Sequence, residues 1–319
     1  MKLQCVILKT IPLYSGLFLI AFSSFAQIRW KPVLQDSLPK GLKFFIAKDS
    51  LNGRPFIAYY LEVNLKNNNL EFTTQVGNGK RFTPSQFYMS EGMPDIVVNG
   101  TFFSFATNQN LNVVIRDGKV LSYNVPALKS KTSDSFYYPT RSAIGISRSR
   151  KADVAWLFTD TAQRWPYAFQ VRPVVAKGKT NDPTFVDLNT IDPWKWWKMK
   201  TAIGGGPVLI QEGKTNITNQ EEQMFVNGLA DLHPRTAMGY TKKNKLIILV
   251  VQGRSKGIAE GATLDEEAKI LADLGCYEAL NLDGGGSSCM LVNGKETIKP
   301  SDKEGQRAVP AVFIIRRKR

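Results

Sequence analysis

Residues 279–288, Ala-Leu-Asn-Leu-Asp-Gly-Gly-Gly-Ser-Ser, organise the interpretation of the whole chain. The apolar run predicts a buried strand that ends at Asp283. Three glycines and two serines follow it: Gly284, Gly285, Gly286, Ser287 and Ser288. The glycines allow positive φ and let backbone N–H groups approach a ligand, while the hydroxyls donate and accept hydrogen bonds. Two interpretations are open: an active-site carboxylate beside an anion-binding loop, or a tight turn with a capping aspartate.

Other apolar runs end or begin at polar residues in the same way. Asn99-Gly100 closes one predicted strand, Arg254 follows another, and Arg235 opens a third just before Thr236. If these ends cluster around Asp283, the site holds two guanidiniums, one carboxylate and a glycine loop. Guanidiniums bind phosphate or carboxylate groups in a bidentate fork, so the pattern predicts an anionic, oxygen-rich ligand. For each arginine alone, a surface salt bridge is the alternative.

A helix is predicted between two of these strands. Thr263 and Glu266 fit a capping box at its start, and Gly275 suits its end. The order strand, helix, strand is typical of a crossover, which predicts some parallel pairing. Glu266 is the best candidate for a second catalytic acid by position, although its capping role is the favoured interpretation.

Strands outnumber helices along the chain. Strands are predicted over residues 55–65, 70–76, 95–99, 246–251 and 309–315, hairpin turns at Asp117-Gly118 and Asn293-Gly294, and a helix beginning at Pro84. The predicted fold class is α+β: a single large domain around a mixed, mostly antiparallel β-sheet with flanking helices. Similar segments at 141–146 and 235–240 indicate weak internal duplication.

Residues 1–26 are predicted to be a secretory signal peptide. Lys2 and Lys9 form a positive n-region, residues 11–22 an apolar h-region, and small residues precede a cleavage site before Gln27. An uncleaved membrane anchor is the alternative, and no later stretch is long and apolar enough to span a bilayer. The predicted location is therefore secreted or periplasmic, with envelope association as an extension. Residues 27–85 form N-terminal strands of uncertain affiliation, and residues 86–319 form the main domain.

The chain is strongly basic. It carries 42 lysines and arginines against 27 acidic residues, a net charge of +15 over 319 residues. This balance favours anionic partners such as phosphate-bearing glycans, envelope polymers or lipid surfaces. Nucleic acid is not an expected partner of a secreted protein. The simpler alternative is that the charge serves solubility.

The sequence lacks the residues that several common catalytic mechanisms require. His233 is the single histidine, which excludes a multi-histidine metal centre, and the chain has no G-x-S-x-G, H-E-x-x-H or P-loop motif. The sequence indicates no particular cofactor, and a divalent cation on Asp283, Asn99 and carbonyl groups stays open. Cys276 and Cys289 either form a disulfide or are two buried thiols.

The ordered motifs resemble the phosphodiester glycosidase family. The similarity is carried by 281–288, 99–103, 204–207, 234–239, 252–254 and 263–266, and it covers roughly residues 90–315. It implies removal of a sugar from a sugar-1-phosphodiester by a secreted or envelope protein. It also implies that Asp283 is the leading catalytic carboxylate and that Arg235 and Arg254 bind the phosphodiester. By the same resemblance Asn99, Ser287 and Ser288 orient the substrate.

The favoured function is thus hydrolysis of an N-acetylglucosamine-1-phosphodiester-like linkage in a glycan or envelope polymer. A phosphate leaves as a stable anion, so one carboxylate can suffice where glycosidases typically use two. One alternative is a non-catalytic module that binds anionic envelope glycans. Another is a structural protein in which the glycine-rich segments are only turns.

Overall fold

The computed structural model describes residues 28–34, 38–129, 134, 136–171, 195–225 and 228–318. The predicted signal peptide lies outside these residues. Within the described part, no helix has the length and hydropathy needed to cross a bilayer.

The largest sheet has eight strands. In sheet order they are β1 (Lys31–Pro32), β2 (Leu42–Leu51), β3 (Arg54–Asn64), β18 (Lys245–Val251), β17 (Arg235–Thr241), β19 (Cys276–Asn281), β15 (Val208–Gln211) and β16 (Lys214–Thr215). Helix α2 (Leu264–Asp273) packs on its outer face, where it contacts β15 and β19.

Two further sheets complete the domain. The seven-stranded sheet runs β13 (Lys195–Trp196), β12 (Tyr167–Phe169), β11 (Ala152–Phe158), β10 (Arg141–Ser147), β14 (Met199–Gly204), β6 (Val114–Arg116), β7 (Lys119–Ser122). The five-stranded sheet runs β21 (Lys295–Glu296), β20 (Met290–Val292), β5 (Ile96–Asn99), β22 (Ala311–Arg317), β4 (Leu70–Val76). Helix α1 (Pro84–Ser90) lies against β5, and a short ladder joins β8 (Leu128–Lys129) to β9 (Phe136–Tyr137).

The inner faces of the three sheets share one hydrophobic core. Strand β18 illustrates why its sequence is apolar throughout. Its alternate residues Leu246, Ile248 and Val250 point into the shared core, whereas Ile247, Leu249 and Val251 pack in the cluster that includes α2. A strand buried on both faces needs a continuous apolar run.

The α+β prediction is wrong. The described residues form a mostly β protein with several antiparallel sheets, and their only α-helices are α1 and α2, of 7 and 10 residues. The predicted parallel pairing is also absent, since every strand pair found in the described residues is antiparallel. Helix α2 does connect β18 to β19, and these two strands run in the same direction. Strand β17 lies between them and pairs antiparallel with both, so the crossover spans one strand instead of creating a parallel pair.

Most of the local predictions are confirmed. The capping box of Thr263 and Glu266 is formed, and Gly275 follows the helix with φ 79°. Asp117-Gly118 turns between β6 and β7, and Asn293-Gly294 turns between β20 and β21. In both turns the two residues have positive φ, which the two-residue hairpin requires.

The strands before residue 85 belong to the same sheets as the rest of the chain. Strand β3 pairs with β18 over seven positions, and β4 pairs with β22 over seven. The domain boundary at residue 85 stays a prediction. Cys276 and Cys289 are both buried and unpaired, so the alternative of two buried thiols holds.

Candidate active site

The site lies where the eight-stranded and five-stranded sheets meet. Strand β19 ends beside the start of β17, and Leu282 N donates to Thr236 O at 2.7 Å. One residue later, Asp283 N donates to Gly100 O at 3.0 Å, just beyond the end of β5. Backbone hydrogen bonds from both sheets therefore fix the position of Asp283.

Asn99 holds this junction together from a fully buried position. Its Nδ2 donates to Asp283 O at 2.5 Å, and its Oδ1 accepts from Thr236 Oγ1 at 2.9 Å and from Cys289 N at 3.0 Å. Both lone pairs of Oδ1 are thereby used, which leaves no amide oxygen for a cation. Hydrogen bonds from Asn99 and to Thr236 thus hold the backbone around Asp283, and their roles toward a substrate stay predictions.

The Asp283 carboxyl is the buried titratable group of the junction. Burial raises its pKa to about 7, while the neighbouring Ser287 hydroxyl, Arg307 and the Gly284 N–H act in the opposite direction. Among the described residues, its Oδ2 has no hydrogen-bond partner. The Ser288 hydroxyl is also buried without a described partner. Buried polar atoms are nearly always paired, so these open positions mark a place for a ligand or water.

The glycines after Asp283 let guanidinium groups come close to the backbone. Gly285 has φ 59°, its N donates to Pro234 O at 2.8 Å, and a β-carbon there would lie 2.8 Å from Arg254 Nη2. A β-carbon on Gly286 would overlap the Arg307 side chain. Only glycine fits at both positions without displacing an arginine.

Arg254 forms the exposed side of the site together with His233. Its backbone is left-handed, with φ 61°, which is uncommon for a long side chain. Its Nη2 lies 3.3 Å from His233 Nδ1. A guanidinium only donates, so Nδ1 accepts and the ring proton is on Nε2, which lies 3.9 Å from Asp231 Oδ2. Burial, then Arg235 and Arg254, lower the pKa of His233, which keeps the ring neutral at neutral pH.

Arg307 is a second guanidinium at the glycine loop that the sequence analysis missed. It forms a bidentate pair with Asp302, with Nε to Oδ2 at 2.7 Å and Nη2 to Oδ1 at 2.9 Å. Its guanidinium also lies 5.4 Å from the centroid of the Phe105 ring. Arg307 stands shortly before β22, whereas Arg235 is the first residue of β17, so a search for polar residues near strand ends could have found Arg307.

The role of Arg235 in binding the phosphodiester stays a prediction. Arg235 is buried, its Nε donates to Ala262 O at 2.9 Å, and its Nη2 donates to Asp231 O at 2.9 Å. One of its donors is thus bonded to the loop that carries His233, and another to the segment that leads into α2. Next to it, burial raises the pKa of Glu267 to about 8.

Glu266 is engaged in structural bonds. Its Oε2 accepts from Thr263 N at 2.9 Å, and its Oε1 accepts from Asn52 Nδ2 at 2.6 Å and pairs with Arg54. Burial acts against ionisation, but these bonds outweigh it and the pKa of Glu266 is lowered. A catalytic role for Glu266 stays a prediction. In the described part of the chain, no three His, Cys, Asp or Glu side chains are grouped to hold a metal ion.

Comparison with known proteins gives a consistent result. Residues 161–316 match the model of the phosphodiester glycosidase family. The bovine N-acetylglucosamine-1-phosphodiester alpha-N-acetylglucosaminidase is 32% identical over 105 residues, which is 31% of this chain and 19% of that protein. The mouse protein of the same name is 25% identical over 211 residues, or 65% of this chain and 33% of that protein. The aligned stretches thus span from a fifth to a third of these relatives.

A solved structure shares the fold. The catalytic domain of the zebrafish N-acetylglucosamine-1-phosphodiester alpha-N-acetylglucosaminidase superposes with a TM-score of 0.60 at 21% identity. The superposition covers 91% of this chain and 88% of that domain. The three-sheet arrangement is therefore shared with that domain.

Proposed function

We propose that this chain, whose residues 161–316 match the phosphodiester glycosidase family model, hydrolyses a sugar-1-phosphodiester linkage of the N-acetylglucosamine-1-phosphodiester kind. The observation that carries the proposal is the Asp283 carboxyl, with one open oxygen, beside a glycine loop approached by Arg254 and Arg307. A carboxylate next to two guanidiniums suits a substrate in which a sugar carbon is bonded to an anionic phosphate.

The proposed reaction divides the work between these groups. Asp283 takes a proton from water as the water oxygen bonds to the anomeric carbon, and the bond from that carbon to the phosphate oxygen breaks. The electron pair leaves with the phosphate, and Arg254 and Arg307 stabilise the added charge. Because the departing phosphate is already a stable anion, it needs no proton donor, and Asp283 works in its ionised form.

The other predicted residues support this arrangement. Ser287 and Ser288 orient the substrate at the open side of the Asp283 carboxyl, while Asn99 and Thr236 hold its backbone. Arg235 keeps the His233 loop in place. We further propose that the substrate is a glycan or envelope polymer outside the cytoplasm, in agreement with the basic charge and the predicted signal peptide.

The direct test is release of free sugar from an α-N-acetylglucosamine-1-phosphodiester. Protein beginning at Gln27 is assayed with and without a chelator, beside a panel of other sugar-1-phosphodiesters. Release of sugar supports the proposal. If a chelator abolishes the release, the reaction needs a bound cation. Saturable, salt-sensitive binding without release from any member of the panel would instead favour the non-catalytic binding module.

The rate should depend on pH through Asp283. Burial raises its pKa from 3.8 to about 7, so the ionised fraction grows as pH rises through 7. We expect kcat/KM to increase about tenfold for each pH unit below that value and to level off above it. Initial rates between pH 5 and pH 9 measure this. A rate that falls as pH rises through 7 would make Asp283 a proton donor and overturn its role as base.

The two guanidiniums should be needed for phosphate binding. We expect Arg254→Gln and Arg307→Gln each to lower kcat/KM by about 10- to 100-fold, since a hydrogen bond to a charged group contributes about 1.5–3 kcal/mol. Lys256→Gln, an exposed charge on the same loop as Arg254, is the matched control and should change kcat/KM less than threefold at 0.15 M salt, where exposed charges are largely screened. An equal effect of all three substitutions would point to general electrostatic attraction.

A further inference from the structure

A second cleft is linked to the candidate active site through Asn110 and Thr101, and we propose that it binds a neutral saccharide. We call it the amide cleft; it has a volume of about 680 Å³ and is lined by Gln109, Asn110, Ser122, Tyr123, Phe158 and Asp160, among others. That volume is within the range of about 300–1,000 Å³ found for small-molecule sites. The proposal concerns binding alone and does not depend on catalysis at Asp283.

The chemistry of the lining indicates the ligand class. Among its described lining residues, Asp160 is the only charged one, although the chain as a whole carries a net charge of +15. Amides, hydroxyls and a phenol both donate and accept hydrogen bonds, which is what the hydroxyl groups of a sugar require. The Tyr123 and Phe158 rings add apolar surface for the C–H face of a pyranose. An anionic ligand would find no cationic partner among these residues.

The floor of the cleft is held rigidly. Asn124 Oδ1 accepts from Val113 N at 2.8 Å, and its Nδ2 donates to Leu157 O at 2.9 Å and to Arg141 O at 3.2 Å. Its backbone N donates to Thr159 Oγ1 at 3.0 Å. Because these bonds fix the floor before a ligand arrives, little ordering is needed on binding.

The cleft is connected to the Asp283 junction through a short chain of contacts. Asn110 Oδ1 accepts a hydrogen bond from the Thr101 hydroxyl. Thr101 follows Gly100, whose carbonyl accepts from Asp283 N. The amide cleft is therefore linked to the backbone of Asp283 through Thr101 and Gly100.

The test is calorimetric titration with neutral trisaccharides, using chitotriose, maltotriose and cellotriose. We expect at least one of them to bind the wild type saturably. Tyr123→Ala should weaken that binding by about tenfold through loss of the aromatic surface, and Gln109→Ala, at an exposed position, should weaken it with little effect on folding. Tyr277→Ala is the matched control, since Tyr277 is a half-buried tyrosine on β19 that does not line the cleft.

The outcomes separate this inference from the proposed activity. Asp283→Asn should bind the trisaccharide as the wild type does, because the cleft does not use that carboxylate. Saccharide binding without sugar-phosphate hydrolysis would support the inference about the cleft and contradict the proposed hydrolase activity. The inference is overturned if none of the three trisaccharides binds, or if binding is unchanged in both Tyr123→Ala and Gln109→Ala.

Discussion

Asp283→Asn is expected to lower kcat by about 10³-fold, within the range that a positioned general base contributes. Asparagine has nearly the shape of aspartate, so the backbone bonds of residue 283 to Gly100 and Asn99 can remain. The neutral amide cannot take a proton from water. The measurement is sugar release under saturating substrate at pH 8, where the wild-type carboxyl is ionised.

The same substitution should make the protein more stable above pH 7. The buried carboxyl has a pKa of about 7 in the folded state against 3.8 in the absence of burial, so ionisation favours unfolding as pH rises between these values. A shift of this size corresponds to at most about 4 kcal/mol, because each pKa unit is worth about 1.4 kcal/mol. Thermal melting at pH 4 and pH 8 should show the Tm advantage of Asp283→Asn growing with pH.

Asp265→Asn is the control for both measurements. Asp265 is exposed in the first turn of α2, so its replacement should leave the rate unchanged and the stability almost so. An Asp283→Asn protein that keeps full activity would remove Asp283 from the chemistry. If the wild type is active and the Asp283→Asn protein is both inactive and less stable, the Asp283 carboxyl has a structural role.

Local features of this chain were predictable because the atoms that create them are close in sequence. Thr263 and Glu266 cap α2 across three residues, and Asn293 and Gly294 both adopt the positive φ that their two-residue turn requires. The placement of Asp283 at a strand end followed from the same kind of pattern. These features require only the periodicity of apolar residues and the φ preferences of glycine and asparagine.

Sheet order was not predictable because it depends on distant pairing. Nothing near residue 264 indicates that β17 inserts between β18 and β19, and that insertion removes the expected parallel pair. The guanidiniums show the same limit. Arg235 opens β17 and Arg307 precedes β22, but the tertiary contacts bond Arg235 to backbone carbonyls and bring Arg307 to the glycine loop.

Glu222→Gln is expected to destabilise the protein by about 3–6 kcal/mol, because at least two hydrogen bonds to a buried carboxylate are lost, each worth about 1.5–3 kcal/mol. Glu222 is fully buried and accepts five hydrogen bonds. Its Oε1 accepts from Val208 N at 2.8 Å, Thr218 Oγ1 at 2.6 Å and Trp156 Nε1 at 3.1 Å, and its Oε2 accepts from Ser142 N at 2.9 Å and Ser142 Oγ at 2.7 Å. Urea unfolding at pH 7 measures the loss, with exposed Glu304→Gln as the control.

The effect is large because the glutamine side chain has one acceptor oxygen where the glutamate carboxylate has two. The N–H₂ group of glutamine takes the place of the other carboxylate oxygen, which accepted at least two hydrogen bonds. Those bonds are lost, and the N–H₂ donors then face the donors that made them. Ser142 and Trp156 belong to the seven-stranded sheet and Val208 to the eight-stranded sheet, so the bonds of Glu222 join the two. A loss below about 1 kcal/mol, the worth of one ordinary hydrogen bond, would mean that the two sheets are held together by their apolar faces alone.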